Sequence, residues 1–196
     1  MLVYDYRLIG TPILSVRDGG TIGSISDLII DPNNLKVIAL RLNGPGIPIA
    51  ANFLDTASVR EYSSLGIVID STDELFSAEE VIKVADVLKL NFHLINLKVE
   101  TKKGTKLGQI TSYTIDSDSF IIQQIIVKRP LVKRLADPEL TISRKEIIEV
   151  TNQKVIVKDE EKVLKERAEK EDFIPNFVNP FRTNPGFASS DTEEQN

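Results

Sequence analysis

The chain repeats itself at a spacing of 85 residues, and this repeat limits the fold more than any other feature. In that frame Gly19 falls on Gly104, Gly23 on Gly108, Ile25 on Ile110, Ile30 on Ile115 and Asp31 on Asp116. Apolar positions follow without a gap: Leu14 on Val99, Ile22 on Leu107, Leu35 on Phe120, Val37 on Ile122, Leu40 on Ile125 and Leu42 on Val127. Solenoid repeats run to about 20–50 residues, so a unit of this length is a whole small domain. The repeat predicts two similar β-rich modules in tandem, each with a small core of limited stabilising power.

Composition narrows the chemistry. The 196 residues include no cysteine, which excludes disulfides, thiol nucleophiles and Cys-ligated metals. The first residues, Met-Leu-Val-Tyr-Asp-Tyr-Arg, lack a basic region followed by an apolar run. No stretch reaches the ~18 apolar residues of a membrane span. These features predict a soluble, cytoplasmic protein. The net charge of −5 is unevenly spread. Residues 1–90 carry 7 Lys+Arg against 12 Asp+Glu, residues 91–158 carry 12 against 7, and residues 159–196 carry 5 against 10. The second module is thus a basic body between two acidic ones, suited either to neutralisation within the molecule or to an anionic partner.

Residues 8–72 read as short strands separated by turns. Gly19-Gly20 sits between two apolar runs, where glycine permits the positive φ of a hairpin turn. Asp31-Pro32-Asn33-Asn34 is a second turn. Five or six strands in about 65 residues predict a small closed or half-closed barrel, because closure removes exposed edges. Ile22, Leu28 and Ile30 share one strand face while Ile25 falls on the other, and Leu107, Tyr113, Ile115 and Ile110 repeat the break. A β-bulge near residues 26–27 and 111–112 restores inward pointing in both.

Between the modules, Ser77-Ala78-Glu79-Glu80 has capping-box spacing, and Val81, Val84, Ala85 and Leu88 form an apolar stripe. This predicts a linker helix within 75–91. Asp159–Asp172 is highly charged, with Glu161/Lys165 and Glu166/Lys170 at i, i+4, and predicts an exposed helix. The organisation expected is a first module at 1–74, the linker at 75–91, a second module at 92–158, a charged helix at 159–172, and a disordered or strap-like tail at 173–196.

The run Gly19–Pro32, with the pattern Gly-x-x-Ile-Gly-x-Ile-x-Asp-Leu-Ile-Ile-Asp-Pro, is followed by Val37–Leu42, and together they resemble the PRC-barrel domain. That family includes the cytoplasmic domain of the photosynthetic reaction-centre H subunit and the C-terminal domain of the ribosome maturation factor RimM. The second copy, Gly104–Ser117 with Ile121–Val127, is similar, with Ser112 in place of Asp27 and Ser117 in place of Pro32. The resemblance covers about 150 of the 196 residues. It implies two tandem small β-barrels used as a protein-binding or assembly module, with no catalytic residues to carry over.

Chemistry is sparse along the chain. His93 is the only histidine and stands among Phe92, Leu94 and Ile95, without the convergent partners of a metal site or triad. Gly19–Gly23 lacks the Lys-Ser/Thr of a phosphate loop and precedes a strand rather than a helix. Asp116 and Asp118 fall at a repeat-matched turn, where Asp is a good turn residue. No catalytic, metal-binding or cofactor-binding residue is expected, and no cofactor.

Two features remain as candidate partner-binding residues. Lys128, Arg129, Lys133 and Arg134 cluster in one run, with charge for an acidic protein, for nucleic acid or for an anionic membrane surface. No aromatic interrupts that run, which weakens single-strand recognition. Phe173, Phe177 and Phe181 recur at i, i+4, i+8 in a polar tail, where aromatics are normally scarce. They fit packing back on a barrel, self-association into a homo-oligomer, or docking elsewhere. The expected function is non-enzymatic protein interaction or scaffolding, with an RNA- or ribosome-associated maturation factor as the competing reading.

Overall fold

The computed structural model describes residues 1–130 and 138–159, and the architecture is mostly β. The helix expected at 159–172 and the tail at 173–196 lie outside the described residues, apart from Asp159, which pairs with Lys103 at 3.6 Å. Lys133, Arg134, Phe173, Phe177 and Phe181 also lie outside them.

The first sheet contains β2 (Pro12–Ser15), β3 (Gly20–Asp31), β4 (Lys36–Asn43), β5 (Phe53–Asp55), β6 (Glu61–Ser63), β7 (Gly66–Ile69) and β8 (Leu75–Phe76). The second contains β9 (Lys98–Thr101), β10 (Lys106–Asp116), β11 (Ile122–Lys128), β12 (Glu139–Ser143), β13 (Ile147–Val150) and β14 (Lys154–Val157). An N-terminal strand, β1 (Leu2–Tyr4), crosses over and joins the second sheet. The strand orders correspond: β6-β7-β2-β3-β4-β5-β8 in the first, β13-β14-β9-β10-β11-β12 in the second. In each, the last long strand returns parallel to the first, β7 beside β2 and β14 beside β9. Neither sheet pairs its two edges among the described residues, so each is a half-barrel.

Bulges set the curvature. The β3–β4 register slips between Ile25 and Asp27, and the β10–β11 register slips between Ile110 and Ser112. Both fall where the parity break places them. A second pair of slips, at Ile29/Ile30 and Thr114/Ile115, is also matched at 85 residues. Each slip bends the long strand and returns its apolar residues to the interior.

The 85-residue frame holds along these strands and fails at their ends. Ile13 and Val99 are the true counterparts: each faces a glycine, Gly23 or Gly108, and each pairs with the returning strand at Ile67 or Val155. Leu14 therefore does not match Val99. The offset there is 86, because nine residues separate Ile13 from Gly23 and eight separate Val99 from Gly108. Both Ile13 and Leu14 are apolar, so composition does not reveal which faces inward; Ile13 is buried and Leu14 is not. Beyond β4 and β11 the offset becomes 88, as Leu54 opposite Leu40 answers Ile142 opposite Ile125.

The two sheets meet through their β-turns. Val37 N–H donates to Phe120 O and Ile122 N–H donates to Leu35 O, both at 2.9 Å, and Lys36 bridges Ile121. Leu35 and Phe120 are 85 residues apart, and both take positive φ, 47° and 57°. That backbone costs about 1–2 kcal/mol for a residue with a Cβ. Burying each side chain, at 4% and 3% exposure, returns about 1.5–3 kcal/mol. One apolar cluster runs through both sheets, from Leu8 and Ile13 to Val155 and Val157. The two small cores are thus continuous.

The segment between the sheets contains α2 (Ile82–Lys89). The capping-box residues form a turn ahead of it: Ser77 N–H donates to the Glu80 carboxylate at 2.5 Å, while the helix N-cap is Val81, with no side-chain cap. Val84 and Val87 pack on Ile29, Ile38, Ala39 and Phe53 of the first sheet. The start of α2 is set by that packing rather than by the cap.

The β1 strand is pinned by its own polar contacts. Within α1 (Asp5–Leu8), the Asp5 carboxylate accepts from Ser112 Oγ at 2.6 Å and from Tyr113 N–H at 3.1 Å. Asp116 accepts from Ser119 Oγ at 2.6 Å and from the Met1 ammonium at 3.2 Å. The Ser119 hydroxyl first, and then the ammonium, hold the Asp116 carboxyl below its ordinary range. Its contribution is therefore full above the unfolded carboxylate value, about 3.9, and is lost as pH falls through the lower folded value. Acid titration below about pH 4 should loosen β1 before the sheets unfold, read as loss of amide protection at Ile115 and Ser117. Unchanged protection down to global unfolding would refute this anchoring.

Gly108 has φ +148°, and a Cβ there would stand 2.0 Å from Lys128 O; at Gly23 it would stand 2.3 Å from Asn43 O. These glycines let the long strand pass close over its neighbour. Gly108→Ala should destabilise the protein by more than about 1 kcal/mol, whereas Gly20→Ala, with nothing within 4 Å, should be neutral or slightly stabilising. Urea melts of the two variants check this; equal midpoints would show that the close approach is not limiting.

Candidate functional site

The strand end at Lys128 opens onto a cleft of about 560 Å³ in the second sheet. Three elements build it. β9 contributes Lys98 and Glu100, whose side chains point away from the buried Val99 and Thr101. β10 contributes Lys106, Gly108 and Gln109, with Thr111 at the bulge. β11 and the residues after it contribute Lys128, Arg129 and Pro130. Alternation along β9 and the close pass at Gly108 bring these three strands' outward residues to one corner.

The charge balance of the cleft is positive. Lys98, Lys106, Lys128 and Arg129 line it, and Lys98, Lys106 and Lys128 are exposed. Glu100 is the one acidic residue of the lining among the described residues, and Lys154 Nζ on β14 neutralises it at 3.0 Å. Among the described residues no aromatic side chain lines the cleft.

The internal repeat supplies a control for this charge. At the corresponding places the first sheet has Pro12 for Lys98, Thr21 for Lys106, Asn43 for Lys128 and Gly44 for Arg129. All four counterparts are uncharged. The loop after β4 also folds back over that corner, with Gly46 N–H donating to Ile22 O at 2.9 Å and Ile47 packing on the core. The same sheet corner therefore forms without cations. Their presence in the second copy is not a requirement of the fold.

Of the cluster read from the sequence, Lys128 and Arg129 are at this cleft, and Lys133 and Arg134 lie outside the described residues. Lys98, Lys106 and Lys154 were not singled out. They are scattered in sequence, and only the excess of positive charge in residues 91–158 hinted at them. Comparing the two copies position by position would have found them, because each replaces an uncharged residue.

His93 is exposed, with Nδ1 3.1 Å from Asn91 O, and stands with Asp27 and Arg41 around a separate cavity. Asp116 serves the turn and the β1 anchor. Among the described residues no three His, Asp or Glu side chains converge as a metal set, and no helix is long and apolar enough to cross a membrane. No protein-family model matches the chain, and no curated protein matches it.

Exposed charges contribute little to stability. Lys98→Ser, Lys106→Ser and Lys128→Ser should each change unfolding free energy by less than about 0.5 kcal/mol. Urea denaturation of the three variants measures this. A loss above about 2 kcal/mol in any of them would make that lysine a structural residue.

Proposed function

We propose that the chain is a non-enzymatic interaction and assembly module, built from two PRC-barrel-like units, that holds an acidic segment of a partner protein in the second-sheet cleft. The observation that carries this reading is the replacement of Pro12, Thr21, Asn43 and Gly44 by Lys98, Lys106, Lys128 and Arg129 at matched positions of one fold. Charge added where the architecture does not need it favours an anionic partner. The neutralisation of Glu100 by Lys154 keeps the lining positive. The PRC-barrel resemblance supports the same class, since it rests on glycine turns and core positions that the matched bulges and turns use structurally.

An acidic protein fits this lining better than single-stranded RNA. Base recognition draws on aromatic stacking, worth about 1–3 kcal/mol per base, and among the described residues the cleft offers no aromatic side chain.

The test compares a poly-glutamate peptide with a single-stranded oligonucleotide as ligands for the full chain. The fourfold variant K98S/K106S/K128S/R129S should bind poly-glutamate at least about tenfold more weakly, a change of about 1.4 kcal/mol, with a flatter salt dependence. Equal binding by the variant refutes the cleft. Tighter, cleft-dependent binding of the oligonucleotide overturns the protein reading in favour of a nucleic-acid factor.

A further inference from the structure

The two sheets differ at a second matched place. In the second sheet, β10 has β11 along one side and β9 along the first part of the other. Beyond β9, β1 occupies that side, pairing Tyr4 with Thr114, Val3 with Ile115 and Leu2 with Asp116. In the first sheet, β3 has β4 along one side, and β2 reaches only to Ser24 on the other. Among the described residues no strand pairs with that side of β3 from Asp27 to Asp31. A cavity of about 260 Å³ lies there instead, lined by Asp27–Ile30, Arg41, the end of α2 and residues 91–93.

The repeat explains why this seat is vacant. Leu8 and Leu94 are buried counterparts, and Gly10 and Asn96 make matching bonds to Ile25 O and Ile110 O, so the offset there is 86. Residues 88–90 are then the counterpart of β1. In a strand equivalent to β1, Lys89 would take the place of Val3, which is only 6% exposed. Burying that ammonium without a partner is prohibitive. The segment is wound into α2 instead, and Val87 and Leu88 wall the cavity without pairing with β3. Asn91 and His93, both exposed, form its open rim. Nearby, the buried Arg41 Nε has no hydrogen-bond partner among the described residues, and its guanidinium lies 5.1 Å from the Phe53 ring centroid.

We infer that the open side of β3 at Ile30 is an acceptor for a short extended segment of a partner protein, apolar at its central residue, added as a strand in the way β1 is added to β10; the neighbouring Leu28 N–H is held by the Asp27 carboxylate at 2.9 Å. Strand addition draws affinity from main-chain hydrogen bonds and specificity from alternate side chains. Here the alternate position is the inward one that Val3 fills on the other sheet. The site is on the first sheet and does not depend on the cationic cleft.

The probe is a synthetic peptide with the sequence of residues 1–7, added to the intact protein and followed by residue-resolved amide hydrogen exchange. In the free protein the Ile30 amide, on the open side of β3, should exchange faster than its counterpart Ile115, which faces β1. Saturating peptide should slow exchange at Ile30 by about tenfold or more and leave Ile115 and Ser117 unchanged, and a peptide carrying Val3→Asp should have no effect. Protection confined to Ile115 and Ser117 would mean exchange with β1 and would overturn the assignment. So would the absence of peptide-dependent protection, or equal protection of Ile30 and Ile115 in the free protein.

Discussion

The reciprocal pair of hydrogen bonds between the turn at Leu35 and the turn at Phe120 is the constraint on which the rest depends. Val37 donates to Phe120 and Ile122 donates to Leu35, so two equivalent edges close on each other across a local two-fold relation. The bond pair requires both turn residues at positive φ with their side chains inward. The carbonyls of Val37 and Ile122 are approached by Thr56 Oγ1 at 3.1 Å and Arg144 Nη1 at 3.5 Å, residues that themselves correspond. With the turns joined, the two apolar interiors merge. A module of this size buries too little surface to be securely stable alone; sharing one interior reduces the exposed fraction of both.

A duplicated scaffold separates what the fold needs from what has been added to it. Matched bulges, matched turns and matched strand order are common to both copies. Differences at matched places are the informative ones. One is the cluster of cations at the end of β11, against uncharged counterparts after β4. The other is the strand added to β10 but not to β3. Both are carried on strands whose bulges the two copies share.

Much of the fold was legible in the sequence, for identifiable reasons. Side chains alternate with a period of two, so a parity break shared by Ile25 and Ile110 had to be a bulge. Gly23 and Gly108 were legible as matched glycines, but the close backbone pass that each permits was not. The register of the first strand was not legible, because Ile13 and Leu14 are equally apolar and one extra residue between Ile13 and its partner Gly23 decides between them. The start of α2 was not legible either: the Ser77–Glu80 pattern forms its bond, but in a turn. Half of the cationic cleft was visible as the Lys128-Arg129 run; Lys98, Lys106 and Lys154 come from three other strands and meet only on folding.

The sequence by itself determined the duplication, the strand-rich character, the paired bulges and the basic balance of the second copy. These follow from local rules: apolar alternation, turn chemistry and counting of charge. Only the tertiary structure decided that β1 crosses to the other sheet, that the two turns close on each other, and which cations share a cleft. Those outcomes depend on contacts between residues far apart in the chain, the extreme strand pair, Leu2 with Asp116, being 114 positions apart. No local pattern encodes such a pairing, because many edges offer the same backbone groups, and the shape of the assembled core selects among them.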